Sequence, residues 1–355
     1  MSTRIPETQC AAVMKVFGQD LVLETNHPVK QRSELAPGEC LIKLEYAGVC
    51  HTDLHAKRGD LKRMPTLPRI GGHEGVGHVV AIGDHSLNET VKVGDRVGLK
   101  WLANTCMNCE MCRKGAEPNC SSNKSNGYSV DGTFADYIVS YIDYVTPIPK
   151  HLDSAAATPI LCAGVTVYKG LKQSNTVVGN WVAIPGAGGG LGHLAVQYAV
   201  SMGLRVLAID TGEQKRALAL RLGAEKWIDF RESKSLIADV MAATDGLGPH
   251  AVIVSATTAA PFNQAIMYLR PTGTMVALGL ATDAFLNVPI SIIISKSIKI
   301  VGSMVGNRQD TIEALDIAAQ GKVKCHYEQR TLNDINSIFT DMERGRIAGR
   351  IVVKL

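Results

Sequence analysis

The chain has 355 residues, material for about two domains. Apolar residues make up 46% and charged residues 20%, and glycine is frequent at 34, a globular profile. The net charge of +4, with no basic block interleaved with aromatics, excludes a nucleic-acid footprint. The longest apolar runs, such as Ser291–Ser295, are strand-sized and far short of a membrane span.

The N-terminus shows neither an apolar leader nor an Arg-rich transit pattern, so a cytoplasmic address is expected. From about Ala11 to Leu99, short β-branched runs bounded by Gly, Pro and Asp predict a mostly-β unit: Glu39–Tyr46, Gly77–Ile82 and Asp95–Leu99. A cysteine-rich loop follows at 106–120, then a strand at Phe134–Val139. Near residue 160 the pattern changes to strands alternating with helices. Asn180–Ile184, Arg205–Ile209, Lys226–Asp229, Ala251–Val254, Met275–Leu278 and Ile298–Val301 read as strands of a parallel sheet. Arg216–Leu222 reads as a helix closed by Gly223. From about Thr311, one helix and a closing strand, Arg350–Val353, are expected to return to the first domain. The expected division is 1–162 with 297–355 against 163–296.

Gly186-Ala-Gly-Gly-Gly-Leu-Gly192 lies between a strand and a helix. Glycines there let the backbone turn tightly and approach a pyrophosphate, which the helix N-terminus then meets with free N–H groups. Gly186, Gly189, Gly190, Leu191 and Gly192 are therefore candidate cofactor contacts. Asp210 ends the next strand, at the spacing where a carboxylate binds the adenosine ribose and repels a 2′-phosphate, favouring NAD over NADP. A helix N-cap is the plainer role for Asp210. Lys215 is a second ribose candidate, against a plain solvated lysine.

The chain has nine cysteines, expected as thiols in a reducing compartment. Cys106, Cys109, Cys112 and Cys120 carry the spacing of a tetrahedral zinc site, closed by four thiolates and hence structural. An iron–sulfur cluster is the alternative, with no partner motif for electron transfer. Cys10, Cys40 and Cys325 read as packing or surface residues. A second set, Cys50, His51, Thr52, Asp53, His55, His73, Glu74 and Cys162, lies in glycine-rich turns, but spacing alone does not join it.

These segments, together with Lys100-Trp-Leu102, Leu161–Lys169, Leu194–Tyr198, Gly302–Arg308 and Gly349-Arg350, resemble the zinc-dependent medium-chain alcohol dehydrogenases of the fungal, yeast type over essentially the whole chain. The resemblance implies a GroES-like β-barrel catalytic domain and a Rossmann coenzyme domain, an α/β fold. It implies two zinc ions per subunit, NAD, a small alcohol or aldehyde substrate, and a homotetramer. It makes Cys50, His73 and Cys162 ligands of a catalytic zinc with Glu74 adjacent, and Asp53 the partner that orients His73. It makes Thr52 and His55 a proton relay, and His51 and Arg350 pyrophosphate contacts. Leu278 and Leu280 fall at cofactor positions, while Leu61, Trp101 and Leu280 line the substrate pocket. His78, His85, His151, His193 and His326 match no catalytic position. Leu61 stands where the family usually has Trp, and Leu280 where it usually has Met. A wider pocket is expected, taking longer primary and some secondary alcohols, unless the 57–64 loop refills it. The competing readings are a polyol or secondary-alcohol dehydrogenase, a zinc-free quinone or enoyl reductase, and a non-catalytic zinc protein. The last two lack a use for Cys50, His73 and Cys162.

Overall fold

In the computed structural model, which describes residues 4–61, 64–87, 90–281 and 284–355, the β-branched runs of the N-terminal part pair into sheets. Contacts divide the chain into two units: Met1–Cys162 with Gly306–Ala319 and Tyr327–Leu355, and Ala163–Val305 with Gln320–His326.

The first unit is built around the long strand Glu39–Val49. It pairs antiparallel with Glu74–Ile82, Tyr137–Tyr141 and the terminal strand Arg350–Lys354. Side-chain alternation buries both its faces: Cys40, Ile42 and Leu44 enter one apolar cluster and Leu41 another. Each such side chain contributes roughly 1.5–3 kcal/mol on burial. A smaller sheet of Val22–Pro28, Thr8–Met14 and Arg69–Ile70 packs its apolar residues with the helix Ile335–Glu343.

The second unit carries six parallel strands in the order Lys226–Asp229, Arg205–Asp210, Trp181–Pro185, Ala251–Val254, Thr274–Ala277 and Lys299–Gly302. The order doubles back at the first strand in sequence, Trp181–Pro185, as in a doubly wound dinucleotide fold. The expected boundary at 297 is corrected here. Lys299–Gly302 completes this sheet beside Thr274–Ala277, so the chain leaves the unit only after Val305.

The short apolar run at 291–295 is helical, within Ile290–Lys296, where Pro289 starts the helix and Ile292 and Ile293 pack on the core. Two further expectations differ. The strand expected from Phe134 begins at Tyr137, Phe134 being an interior side chain. The C-terminal segment holds a second helix, Ile335–Glu343, and the strand Tyr327–Thr331. That strand's sequence, Tyr-Glu-Gln-Arg-Thr, has no apolar alternation because it lies at the sheet edge, paired among the described residues with the terminal strand alone. Among the described residues, no helix is long and apolar enough to cross a membrane.

Candidate active site

Three distant segments of the first unit meet at one buried point. The strand Glu39–Val49 ends, and Cys50 caps the helix His51–Arg58 that follows. The Asp53 carboxylate turns back to accept the Cys50 N–H at 2.9 Å, closing the first helical turn. Its other oxygen accepts from His73 Nδ1 at 2.7 Å. This leaves His73 Nε2 as the free ligand atom, 3.2 Å from Cys162 Sγ. Donor atoms of Cys50, His73, Glu74 and Cys162 all lie within 4.8 Å of one another, and all four residues are buried.

Glu74 opens its strand opposite Gly48. A side chain at 48 would place Cβ 2.1 Å from Glu74 Oε2, so only glycine leaves room for the carboxylate. Arg350, on the terminal strand at the other side of Glu39–Val49, donates to Glu74 Oε1. Burial pushes the Glu74 carboxyl up to about 7, Arg350 opposing it. Burial works against charge on His73, but Asp53 overrides it and the imidazole is held well above its ordinary value. The hydrogen bond with Cys162 draws the Cys50 thiol down, and the same bond pushes Cys162 up.

Two thiols and one imidazole nitrogen make a donor set that fits a divalent zinc with one open position, and beside them the buried Glu74 Oε2 has no hydrogen-bond partner among the described residues. Trp101 meets His73 edge-on, with ring centroids 5.3 Å apart, and Tyr128 backs Trp101 at 5.5 Å. Thr52 Oγ1 lies 3.8 Å from Cys50 Sγ. His55, one turn on, is partly buried, and its Nδ1 pairs with Asp60 at 2.8 Å. His51 is exposed at the start of the helix. Leu61 packs partly buried beside the cluster that Trp101 also joins, while Lys62 and Arg63 of the 57–64 loop lie outside the described residues.

The second sulfur cluster is local. Cys109 and Cys120 Sγ each lie 3.6 Å from a second thiol, Cys112 and Cys106, which are 4.0 Å from each other. Backbone amides of Asn108 and Cys109 hold the Cys106 thiol down to about 6. Four sulfurs and no open position fit a closed zinc site.

In the second unit the glycine turn joins Trp181–Pro185 to the helix Gly192–Ser201. Gly186 has φ +80°, and a Cβ at Gly192 would fall 1.9 Å from Gly186 O, so neither position takes a side chain. The N–H groups of Gly190 and Leu191 make no backbone hydrogen bond among the described residues. They form a cradle that fits a phosphate. Asp210 is buried and braces the turn: Gly188 N donates to it at 2.9 Å and Lys215 Nζ at 3.0 Å. Gly212, not Asp210, caps the following helix. Leu278 is half-buried against Gly170 and Leu280 is exposed.

Residues 36–150 match the family model described as an alcohol dehydrogenase GroES-like domain, and residues 190–320 the one for a zinc-binding dehydrogenase. The chain is 47% identical to Alcohol dehydrogenase 1 of Emericella nidulans over 99% of both chains. It is 44% identical to an alcohol dehydrogenase of Schizosaccharomyces pombe, again over 99% of each. It belongs to the zinc-dependent medium-chain alcohol dehydrogenases. The solved alcohol dehydrogenase of Aeropyrum pernix superposes with TM-score 0.87 at 30% identity, covering 98% of this chain and 100% of that one. Acetophenone reductase from Geotrichum candidum, solved in complex with NAD, gives TM-score 0.86 at 28% identity over 99% of both.

Within this zinc alcohol dehydrogenase, sequence reasoning missed three partners. Asp60 behind His55 was legible as a carboxylate just past the helix-ending Gly59. The Glu74–Arg350 pair and the Tyr128–Trp101 contact join residues too far apart in sequence to signal one another.

Proposed function

We propose that this dehydrogenase interconverts primary alcohols and aldehydes at the Cys50, His73 and Cys162 centre, with NAD as the redox partner. The observation that carries the reading is that donor set: three ligand atoms buried together, with the imidazole already oriented by Asp53. When bound, the metal supplies a Lewis acid that acidifies a hydroxyl and the dinucleotide accepts the hydride.

The chain's own groups do the rest. Cys50, Cys162 and His73 Nε2 hold the metal and leave one position open. Asp53 fixes the His73 tautomer. Thr52 takes the substrate proton at its hydroxyl, and His55 passes it to solvent from the partly buried outer face of the helix. Glu74 stays engaged with Arg350 beside the metal rather than on it. Arg350, whose Nε has no partner among the described residues, and His51 are assigned to the pyrophosphate. Asp210 receives the adenosine ribose, and Lys215 beside it is the second contact. Cys106, Cys109, Cys112 and Cys120 hold the structural zinc. Trp101 walls the substrate, and Leu61 and Leu280 leave it more space than bulkier side chains.

Assembly into a homo-oligomer is supported by the open edge Lys299–Gly302, with Ile290, Ile294 and Phe285 exposed on the same unit. Light scattering of the purified protein reads the copy number, and a monomer refutes the assembly.

Rates with NAD across linear alcohols from ethanol to octanol test the reaction. We expect NAD far above NADP, loss on zinc chelation, and hexanol at least equal to ethanol in kcat/KM. Clear preference for ethanol overturns the wider pocket. Inactivity toward every alcohol overturns the substrate class.

A further inference from the structure

We propose that His193 is a positioning residue for the dinucleotide, holding the phosphate-binding peptide of the glycine turn through its ring Nδ1. The proposal rests on the cofactor reading above. His193 is the second residue of the helix Gly192–Ser201 and is fully buried. Its Nδ1 contacts Gly189 O at 2.9 Å, and its own backbone N–H donates to the same oxygen at 3.1 Å. Its Nε2 accepts the backbone N–H of His326 at 3.1 Å.

The shorter contacts set the tautomer. Nε2 faces the His326 N–H, with Cys325 Sγ farther off at 3.6 Å, so it is the acceptor, and Nδ1 carries the proton toward the carbonyl. Both ring nitrogens are used and the ring is fixed. One turn later Gln197 grips the same returning segment, taking Lys324 N at 2.8 Å and giving to Lys324 O at 3.0 Å. The ring therefore spans from an anchored segment to the turn.

Gly189 and Gly190 share a planar peptide, in which C=O and N–H point in opposite directions. Two donors on Gly189 O, one from the backbone and one from the ring, draw that carbonyl toward the helix. The Gly190 N–H is thereby aimed out of the turn, where it makes no backbone bond among the described residues and is left for a phosphate oxygen. Glycine on both sides gives this peptide more rotational freedom than one flanked by side chains, so an external hold has much to contribute here.

Two substitutions separate the ring's two jobs. In His193→Asn the amide nitrogen replaces Nδ1 and nothing reaches His326. In His193→Gln the amide stands near Nε2 and the contact to Gly189 O is lost. Binding of NAD is measured by calorimetry on the zinc-loaded proteins, with KM for NAD and for alcohol alongside. We expect His193→Asn to bind NAD within about twofold of the unmodified protein, and His193→Gln to weaken it roughly five- to tenfold, the worth of one hydrogen bond. KM for alcohol stays unchanged in both. Gln197→Leu, which loosens the returning segment and leaves Nδ1 in place, keeps the affinity of the unmodified protein and guards against a poorly folded Gln variant. Any other ranking overturns the assignment: equal affinities for Asn and Gln, a weaker Asn variant, or a loss in Gln197→Leu as large as in His193→Gln. No NAD binding by the unmodified protein overturns the cofactor reading together with it.

Discussion

The two sulfur clusters use the same ligand chemistry at opposite extremes of locality. Cys106, Cys109, Cys112 and Cys120 sit in one short loop, three of them partly exposed, and their contacts are mostly with one another. Cys50, His73 and Cys162 come from three segments, are fully buried, and contact Asp53 and Trp101, with the Glu74–Arg350 pair alongside. A closed set of four thiolates answers to stability. An open set of three, with its imidazole oriented and a carboxylate stored nearby, answers to chemistry.

The sharpest way to break this contrast is to remove one thiol from each cluster. Cys162→Ser should lower zinc from two to one per chain by elemental analysis and reduce kcat/KM by more than about 100-fold, beyond the range for losing an outer partner. Unfolding should change little. Cys112→Ser should also cost one zinc, but lower stability by about 4 kcal/mol or more, as losses of a structural metal do. The rate per folded molecule should stay near that of the unmodified enzyme. If the two substitutions have the same effect on rate and on stability, the division of labour is wrong.

The same contrast explains what was legible in the sequence. The cysteine loop is readable because its ligands are neighbours along the chain, and the glycine turn because a strand, glycines, a helix and Asp210 follow at fixed spacing. The open centre is not readable that way. Cys162 meets His73 only after the sheet has folded, so resemblance, not spacing, joined them. The unit boundary was misplaced because Lys299–Gly302 belongs to the parallel sheet by pairing, while the chain around it carries no break in composition. Tyr327–Thr331 was invisible because an edge strand needs no apolar alternation. Arg350 was expected to face a pyrophosphate; that it also neutralises Glu74 required both strands in register.

A smaller effect tests how the open centre is supported. Asp53→Asn keeps the side chain's shape and an acceptor for the Cys50 N–H, but removes the charge facing His73 Nδ1. Zinc affinity at that centre, read by competition with a chelator, should fall about 10- to 100-fold. The cysteine loop should keep its metal. Equal loss from both sites would mean that the substitution acts through global unfolding.

The smallest effect concerns Lys100, which stands between the two clusters. It is fully buried, donates to Tyr144 O and to Thr146 Oγ1, and precedes Trp101, which leans on His73. The Tyr144 hydroxyl in turn meets Thr105 Oγ1, which contacts Cys112 Sγ at 3.3 Å. Burial draws the Lys100 ammonium down to about 7, with Glu117 pushing up and Arg308 pulling down. The unfolded chain keeps its proton to about 10.4, so above pH 7 the unfolded state binds more protons than the folded one. Stability from this group therefore rises with pH from about 7, and the cost of burying the charge is carried in full below it. Lys100→Met removes that dependence. Urea unfolding of both proteins from pH 6 to pH 9 should show parallel curves below pH 7. Above it, the difference should grow in favour of the lysine by up to about 1.4 kcal/mol per pH unit. Curves parallel throughout would mean that Lys100 stays charged in the fold, held by Glu117, and that an ion pair rather than a neutral amine links the two clusters.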